Sequence, residues 1–513
     1  MKNWRALREL LLWCLPALAC GGLVRGLFLG HFPYGYIHPD SPDFLVTADR
    51  FLNHHRFVIH TKRQFLAPVL FLLPLLVKIP CVLIIAWAQH FFGLIYIVMT
   101  GAIIRCWTGF WKRWIVPATL LAALNPAVLY YEHTLISESQ YLWCVTALAL
   151  AGSANALERT RGRFIMLMLA LLLTAGSRPE GKLFILFCLL LIPLLHWGVW
   201  RKLAIFGAIT LAFCMLAWLS SRNTQAGLHL YATLLPLAPE TPKSAPDFGP
   251  VIAPLRNERL TRGMLAIPDL AAEGKRIWPL ASSYLKAKDP AGKWPPEQSV
   301  GSFCQRLAME AARNRPFLVL PITFDKFLLG TTYPLGEVLD KSWLQDMQIN
   351  SCSHKPWMLR LMPRLTGQPI YSMDDLAAYA RNEFPPLEPD WFGDLQRVLF
   401  FITTGARIPW PGQTPATPGI PLFYLLGATG MMVGMIRPGS MRKFHIAWVI
   451  ALGFTGFAVM LTGPVIPRYR FVFEPFVFLY LFVLADGIVA LAKFMTAAMR
   501  KSDQSGRNAL LFL

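Results

Sequence analysis

The chain has 513 residues, 55% of them hydrophobic and only 15% charged, with a mean hydropathy of +0.44. A soluble protein cannot cover its surface with so little charge, whereas repeated apolar runs of about 17–25 residues are what a bilayer core demands. The formal net charge of +20 does not point to nucleic acid, because Lys and Arg gather in short patches between the apolar runs, as the positive-inside rule requires.

In chain order, Lys2, Arg5 and Arg8 set the start on the inner side, and a first span over about 9–30 leads out. It is too long for a signal peptide and lacks a small-residue cleavage site, so it reads as a retained anchor. An outer loop over 31–79 follows, containing "HPDSPDFLVTADRF" at residues 38–51. Ser41 reads as an N-cap and Pro42 as the first helical residue. Phe44, Leu45, Ala48, Phe51 and Leu52 then recur at helical spacing, with Asp43, Thr47, Asp49 and Arg50 on the other flank. That pattern predicts an amphipathic helix of roughly ten residues, suited to lying in the interface. Asp40 stands just before its N-terminus, where the helix dipole favours the ionised carboxylate.

Spans 2 to 7 are predicted at about 80–104, 115–131, 138–154, 164–176, 182–200 and 203–219, each basic patch between them falling on the inner side. The stretch from 220 to 417 is long, Pro-rich and of mixed polarity, and spans 8 to 10 follow at about 418–436, 444–462 and 470–492. The organisation is thus an N-terminal module (1–219), an extracytoplasmic region (220–417) and C-terminal spans with an inner tail (418–513). Two apolar pieces of the outer region stand apart. "PFLVLPITFDKFLLG" (316–330) reads as an interfacial or packed loop helix, since a span there inverts every later basic patch. "RVLFFITTGA" (397–406) reads as a re-entrant or interfacial piece. Seven of the nine cysteines fall in or, for Cys106, within two residues of the apolar runs, while Cys304 and Cys352 share the outer region, where an oxidising compartment suggests a disulfide.

Charges of both signs then fall at one membrane boundary. Asp40 and Asp43 lie in the first outer loop, with Lys62 and Arg63 at its far end. Glu138 opens span 4 just past His133, which reads as an interface residue; Arg178 and Glu180 form "SRPEG" at the exit of span 5; Arg468 and Arg470 precede span 10, with Glu474 one turn in. A charge is costly in a bilayer and less so near its surface, so several at one depth suggest a shared hydrated cavity. Asp486, in the inner half of span 10, is expected to face neighbouring helices. No Walker loop, H-E-x-x-H or GxGxxG is present.

On these residues the chain resembles the GT-C glycosyltransferases, multi-span enzymes that use polyprenyl-phosphate-linked sugars, including the protein O-mannosyltransferase and aminoarabinose transferase relatives. The matching pieces are "HPDSPDF", "TKRQFLAPVLFLL", "LNPAVLYYEHTLISESQYLW", "SRPEG" and "PRYRFVFEPFVFLY". Together they touch roughly half the chain. It departs from the relatives at Gln64–Phe65 and at Phe44, and the 220–417 region matches none of their parts. The resemblance implies an all-α GT-C-like bundle of about ten spans, with interfacial helices in the first outer loop. It also implies sugar transfer at the outer face of a bacterial inner membrane to a lipid, glycan or protein acceptor.

The residue types suit that chemistry. A glycosyl phosphate carries a good leaving group, so one carboxylate suffices to take the acceptor proton, and cations hold the departing phosphate. Asp40 is the expected base. Arg63, Arg178 and Arg468 are the expected phosphate holders, with Lys62 and Arg470 behind them. Glu138, Glu180 and Asp43 are candidates to orient an acceptor or a metal; no spacing defines a metal, and a divalent ion is left open. A multi-span transporter is the rival from another class, although its charges belong near the midplane of two related halves. A scaffold protein whose outer loop recruits a partner needs no shared cavity. A lipid-linked glycan polymerase or ligase is the rival among enzymes.

Overall fold

The computed structural model describes residues 2–510 except 60–62, 159, 192–223, 262–269, 289–295, 332–348, 351, 354, 356, 385–389, 410–418, 463–470 and 472. Within those residues the protein is almost wholly helical. The N-terminal module runs through α1 (Lys2–His31), α2 (Ser41–His54), α3 (Leu66–Leu76), α4 (Cys81–Trp107), α5 (Trp111–Ala123), α6 (Pro126–Glu132), α7 (Glu138–Leu157), α8 (Arg161–Ser177), a 3-10 turn (Pro179–Phe184) and α9 (Ile185–Leu191). The outer region holds α10 (Thr224–Leu234), α11 (Gly249–Thr261), α12 (Leu270–Lys288), α13 (Pro296–Asn314), α14 (Val319–Gly330), α15 (Trp357–Thr366), α16 (Met373–Glu383) and α17 (Trp391–Thr404). A two-residue hairpin pairing Ile408 with Ile420 leads into α18 (Leu422–Ile436), α19 (Ser440–Thr462) and α20 (Glu474–Leu510).

Among the described residues four helices are long and apolar enough to cross a bilayer: Trp4–His31, Cys81–Trp107, Met441–Thr462 and Glu474–Ala497. They match expected spans 1, 2, 9 and 10. Expected span 3 is a bent pair: α5 stops, Asn125 turns the chain, and α6 leaves at 49°. The cause is local. The residue before a proline is held out of the α region, so α5 ends ahead of Pro126. Asn125 then caps the new helix, its Oδ1 accepting from the Ala127 and Val128 amides at 3.0 and 3.4 Å. Spans 4, 5 and 8 correspond to helices of 20, 17 and 15 residues. Span 7 and most of span 6 lie outside the described residues.

The apolar side chains form two main cores. The larger runs through the bundle from Phe28 and Phe44 to Leu142, Trp448 and Tyr480. It also takes in Met358, Leu361, Leu376 and Phe392, so α15 to α17 pack on the bundle rather than with the rest of the outer region. The second core, with Tyr231, Phe248, Ile277, Phe303 and Ile322, belongs to α10 to α14 and touches the C-terminal end of α19 through Leu461. This division overturns the expected disulfide. Cys304 is buried in the second core and Cys352 in the first, and both are free thiols. The 316–330 segment is a short 3-10 turn followed by the 12-residue α14, which seats Ile322 in the second core. At about 1.5 Å per residue it is too short to span. The 397–406 segment closes α17 and turns Val398, Phe401 and Ile402 outward.

Candidate functional site

The first outer loop is built around hydrogen bonds from Ser41, and they differ from the expected cap. The helix begins at Ser41, with Asp40 in the cap position, and the Asp40 side chain does not cap it. The Ser41 hydroxyl instead accepts from the His38 amide at 2.9 Å and donates to the Leu135 carbonyl at 2.8 Å. The Asp40 amide donates to His38 Nδ1 at 3.0 Å, which folds the turn so that the Asp40 carboxylate faces the far end of the loop. Phe44, Leu45 and Ala48 are buried as their spacing required. Thr47 and Asp49, assigned to the polar flank, are buried as well, because later segments cover that side.

Arg63 meets the two aspartates. Its Nη2 lies 3.3 Å from Asp40 Oδ1 and 3.1 Å from Asp43 Oδ2, and the guanidinium sits 4.5 Å from the Phe44 ring centroid. The apolar Phe44 thus gives the cation a π face. Asp43 also receives Lys355, and Asp49 is 3.9 Å from Arg360, so the segment before and within α15 covers α2 with two more cations. Nothing local in the sequence marks Lys355, which lies 312 positions from its partner.

A second ionic cluster joins span ends. Arg178, directly after α8, pairs through Nη1 with Glu138 Oε1 at 2.5 Å and through Nε with Glu180 Oε2 at 3.2 Å. Its guanidinium is 5.8 Å from the Tyr141 ring. Bound by two carboxylates, Arg178 does more than pair with its neighbour in "SRPEG".

The segments carrying these clusters are stitched together. Tyr36 pairs with Thr134 in a parallel bridge, and Ser41 holds the Leu135 carbonyl, three residues before Glu138. Phe65 packs on Gly176, where an added Cβ comes within 2.5 Å of its ring, so the chain just after Arg63 lies against the chain just before Arg178. The Phe471 ring lies 4.5 Å from that of Tyr131, which brings the start of the last span to the same place. Glu474, fully buried, accepts from the Tyr424 hydroxyl. Lys62, Arg468 and Arg470 lie outside the described residues.

Two expectations about single residues change. His133 is not an interface residue: it is fully buried, with Nδ1 3.0 Å from His90 Nε2 and Nε2 2.8 Å from the Tyr34 carbonyl. His90 in turn meets Glu132, which pairs with Arg25 at 2.9 Å. The signal was present in the sequence, since ionisable residues inside apolar spans are rare and functional. Asp486 faces its neighbours as expected, and it also has a task. It accepts from the Gly109 and Phe110 amides at 2.8 Å each and from Arg437 at 2.6 Å, tying the α4–α5 loop to the last helix.

Among the described residues no three His, Cys, Asp or Glu side chains gather closely enough to hold a metal. Beyond the ionic clusters, α14, α18, α19 and α20 enclose an apolar groove of about 320 Å³, lined by Phe324, Phe327, Leu452, Gly456, Phe473 and Val477, with Tyr424 and Glu474 at its polar edge. No protein-family model matches the chain, and no curated protein is significantly similar to it.

Proposed function

We propose that this protein is a GT-C-type glycosyltransferase of about ten spans in a bacterial inner membrane. In this reading it moves a sugar from a polyprenyl-phosphate donor to a lipid, glycan or protein acceptor at the outer face. The observation that carries the reading is the meeting of Asp40, Asp43, Arg63 and Lys355 beside the Glu138–Arg178–Glu180 cluster. These groups come from distant segments, and the Asp40 side chain keeps 29% of its surface open, enough for a hydroxyl to reach it.

Asp40 accepts the proton of the acceptor hydroxyl as that oxygen attacks the anomeric carbon. The bond from that carbon to the phosphate oxygen breaks, and the electron pair leaves with the polyprenyl phosphate. One displacement gives inversion. Arg63 and Arg178, each already fixed between carboxylates, offer guanidinium groups to the growing phosphate charge without reorganising, the arrangement that makes such groups effective. Lys355 joins them from the outer region. Glu138 and Glu180 orient Arg178, and Asp43 orients Arg63. The apolar groove supports a long hydrocarbon on the substrate.

A second reading has an observation of its own. Arg25, Glu132 and His90 form a buried charged set within apolar helices, the placement that coupling charges take in transporters. Mass spectrometry of lipid-linked sugars and envelope glycans, with and without the protein, separates the two. Accumulation of a prenyl-phosphate sugar on deletion is expected; an unchanged glycan pool with altered solute uptake overturns the transferase reading.

A further inference from the structure

The buried set around Glu132 is connected to Asp40 by short hydrogen bonds linked in turn through the bodies of His133, Leu135 and His38. Arg25 Nη2 donates to Glu132 Oε1 at 2.9 Å, while its Nη1 donates to the Ala123 carbonyl at 3.1 Å, the last residue before the bend. Glu132 Oε2 lies 3.0 Å from His90 Nδ1, His90 Nε2 lies 3.0 Å from His133 Nδ1, and His133 Nε2 lies 2.8 Å from the Tyr34 carbonyl. A carbonyl only accepts, so His133 donates from Nε2; a neutral His133 then accepts at Nδ1, and His90 donates from Nε2. One further proton is therefore held between His90 Nδ1 and Glu132.

From His133 the path continues outward through backbone. The Tyr36 amide donates to the His133 carbonyl at 2.7 Å, the Leu135 amide donates to the Tyr36 carbonyl at 2.9 Å, and Ser41 donates to the Leu135 carbonyl. Ser41 accepts from the His38 amide, and His38 Nδ1 accepts from the Asp40 amide. The helix opposite has made room for this. At Gly93, one turn along α4 from His90, an added Cβ falls 2.0 Å from Glu132 Oε1, so only glycine lets the carboxylate lie there.

We infer that Glu132, His90 and His133, anchored by Arg25, are positioning residues that set the turn carrying Asp40. The inference rests on the reading of Asp40 as the catalytic base. These side chains touch no reacting atom; they fix the backbone at 34–41 from a buried frame shared by α1, α4 and α6. A displacement of about 1 Å at a reacting group costs on the order of 100-fold in rate, so loss of the frame falls on turnover.

The test is amide hydrogen exchange together with steady-state transfer, on the full chain in lipid nanodiscs. Glu132→Ala is expected to raise exchange over residues 34–42 and to lower kcat about 100-fold with donor KM little changed. Glu132→Gln can accept from Arg25 and donate to His90, so it is expected to restore both. If the alanine variant fails to accumulate, His133→Asn cuts the path beyond the charged pair and is expected to show the same rise in exchange. Wild-type exchange over 34–42 in these variants overturns the inference, as does raised exchange with wild-type kcat. Full activity in Asp40→Asn overturns the catalytic reading instead, and the exchange measurement then decides the frame alone.

Discussion

Asp40 and Arg63 are partly exposed partners in one ion pair, which makes their substitutions informative. Asp40→Asn keeps size and most hydrogen bonding but removes the basic oxygen, so transfer is expected to fall 10²–10⁴-fold, the usual contribution of a general base. Thermal stability should stay unchanged, because a partly exposed ion pair contributes only about 0–1 kcal/mol. A purified Asp40→Asn protein turning over at the wild-type rate ends the assignment. Arg63→Lys is expected to lose activity as well, since an ammonium cannot bridge two aspartates, lie against Phe44 and fork onto a phosphate. Its readout is a raised donor KM. Asp40, Arg63, Glu138 and Arg178 were legible in the sequence because each sits where an apolar run meets a polar one. Lys355 was not, since its position depends on how a distant segment folds back.

At the scale of elements, close helix packing makes its own prediction. A Cβ on Gly430 of α18 falls 2.0 Å from the Tyr480 carbonyl of α20, so the two backbones touch through that glycine. Small residues permit such approach in membranes. Gly430→Ala is expected to destabilise the protein by about 1–3 kcal/mol, the usual cost of overpacking, seen as a lower melting temperature in detergent. Burial pushes the Cys304 and Cys352 thiols up to about 12, so both should resist maleimide in the native protein. Both should label after denaturation without reductant; labelling that requires reductant restores the disulfide. Long apolar helices could be read from composition. The bend at Asn125 is written in Asn-Pro, but hydropathy alone runs through it.

For the whole molecule, the second core carries an ionisable cost. Lys326 is fully buried within α14, and burial, with Arg259 nearby, pushes its amine down to about 7 from an ordinary 10.5. Between those values the unfolded chain binds the proton and the folded chain does not, so stability rises with pH across that window. Below about pH 7 both states are protonated and the full penalty applies. Lys326→Met is expected to raise the melting temperature at pH 7 and to flatten this dependence; scans from pH 7 to 10 decide it. The division of the outer region between two cores was invisible in the sequence, where 220–417 reads as one Pro-rich stretch of mixed polarity. Only the apolar faces of α15 to α17, seated on the bundle, reveal it.

The contact between Lys355 and Asp43 also sets an order of events during biosynthesis. Arg63 emerges almost together with the aspartates, whereas Lys355 follows 312 residues after Asp43. At about 5–20 residues per second the ribosome takes roughly 15–60 s to make that distance. Throughout that interval the nascent chain holds its first outer helix without its later cover, so a chain cut short before α15 carries every span-end charge of its N-terminal half and still lacks the cations that Asp43 and Asp49 receive from Lys355 and Arg360.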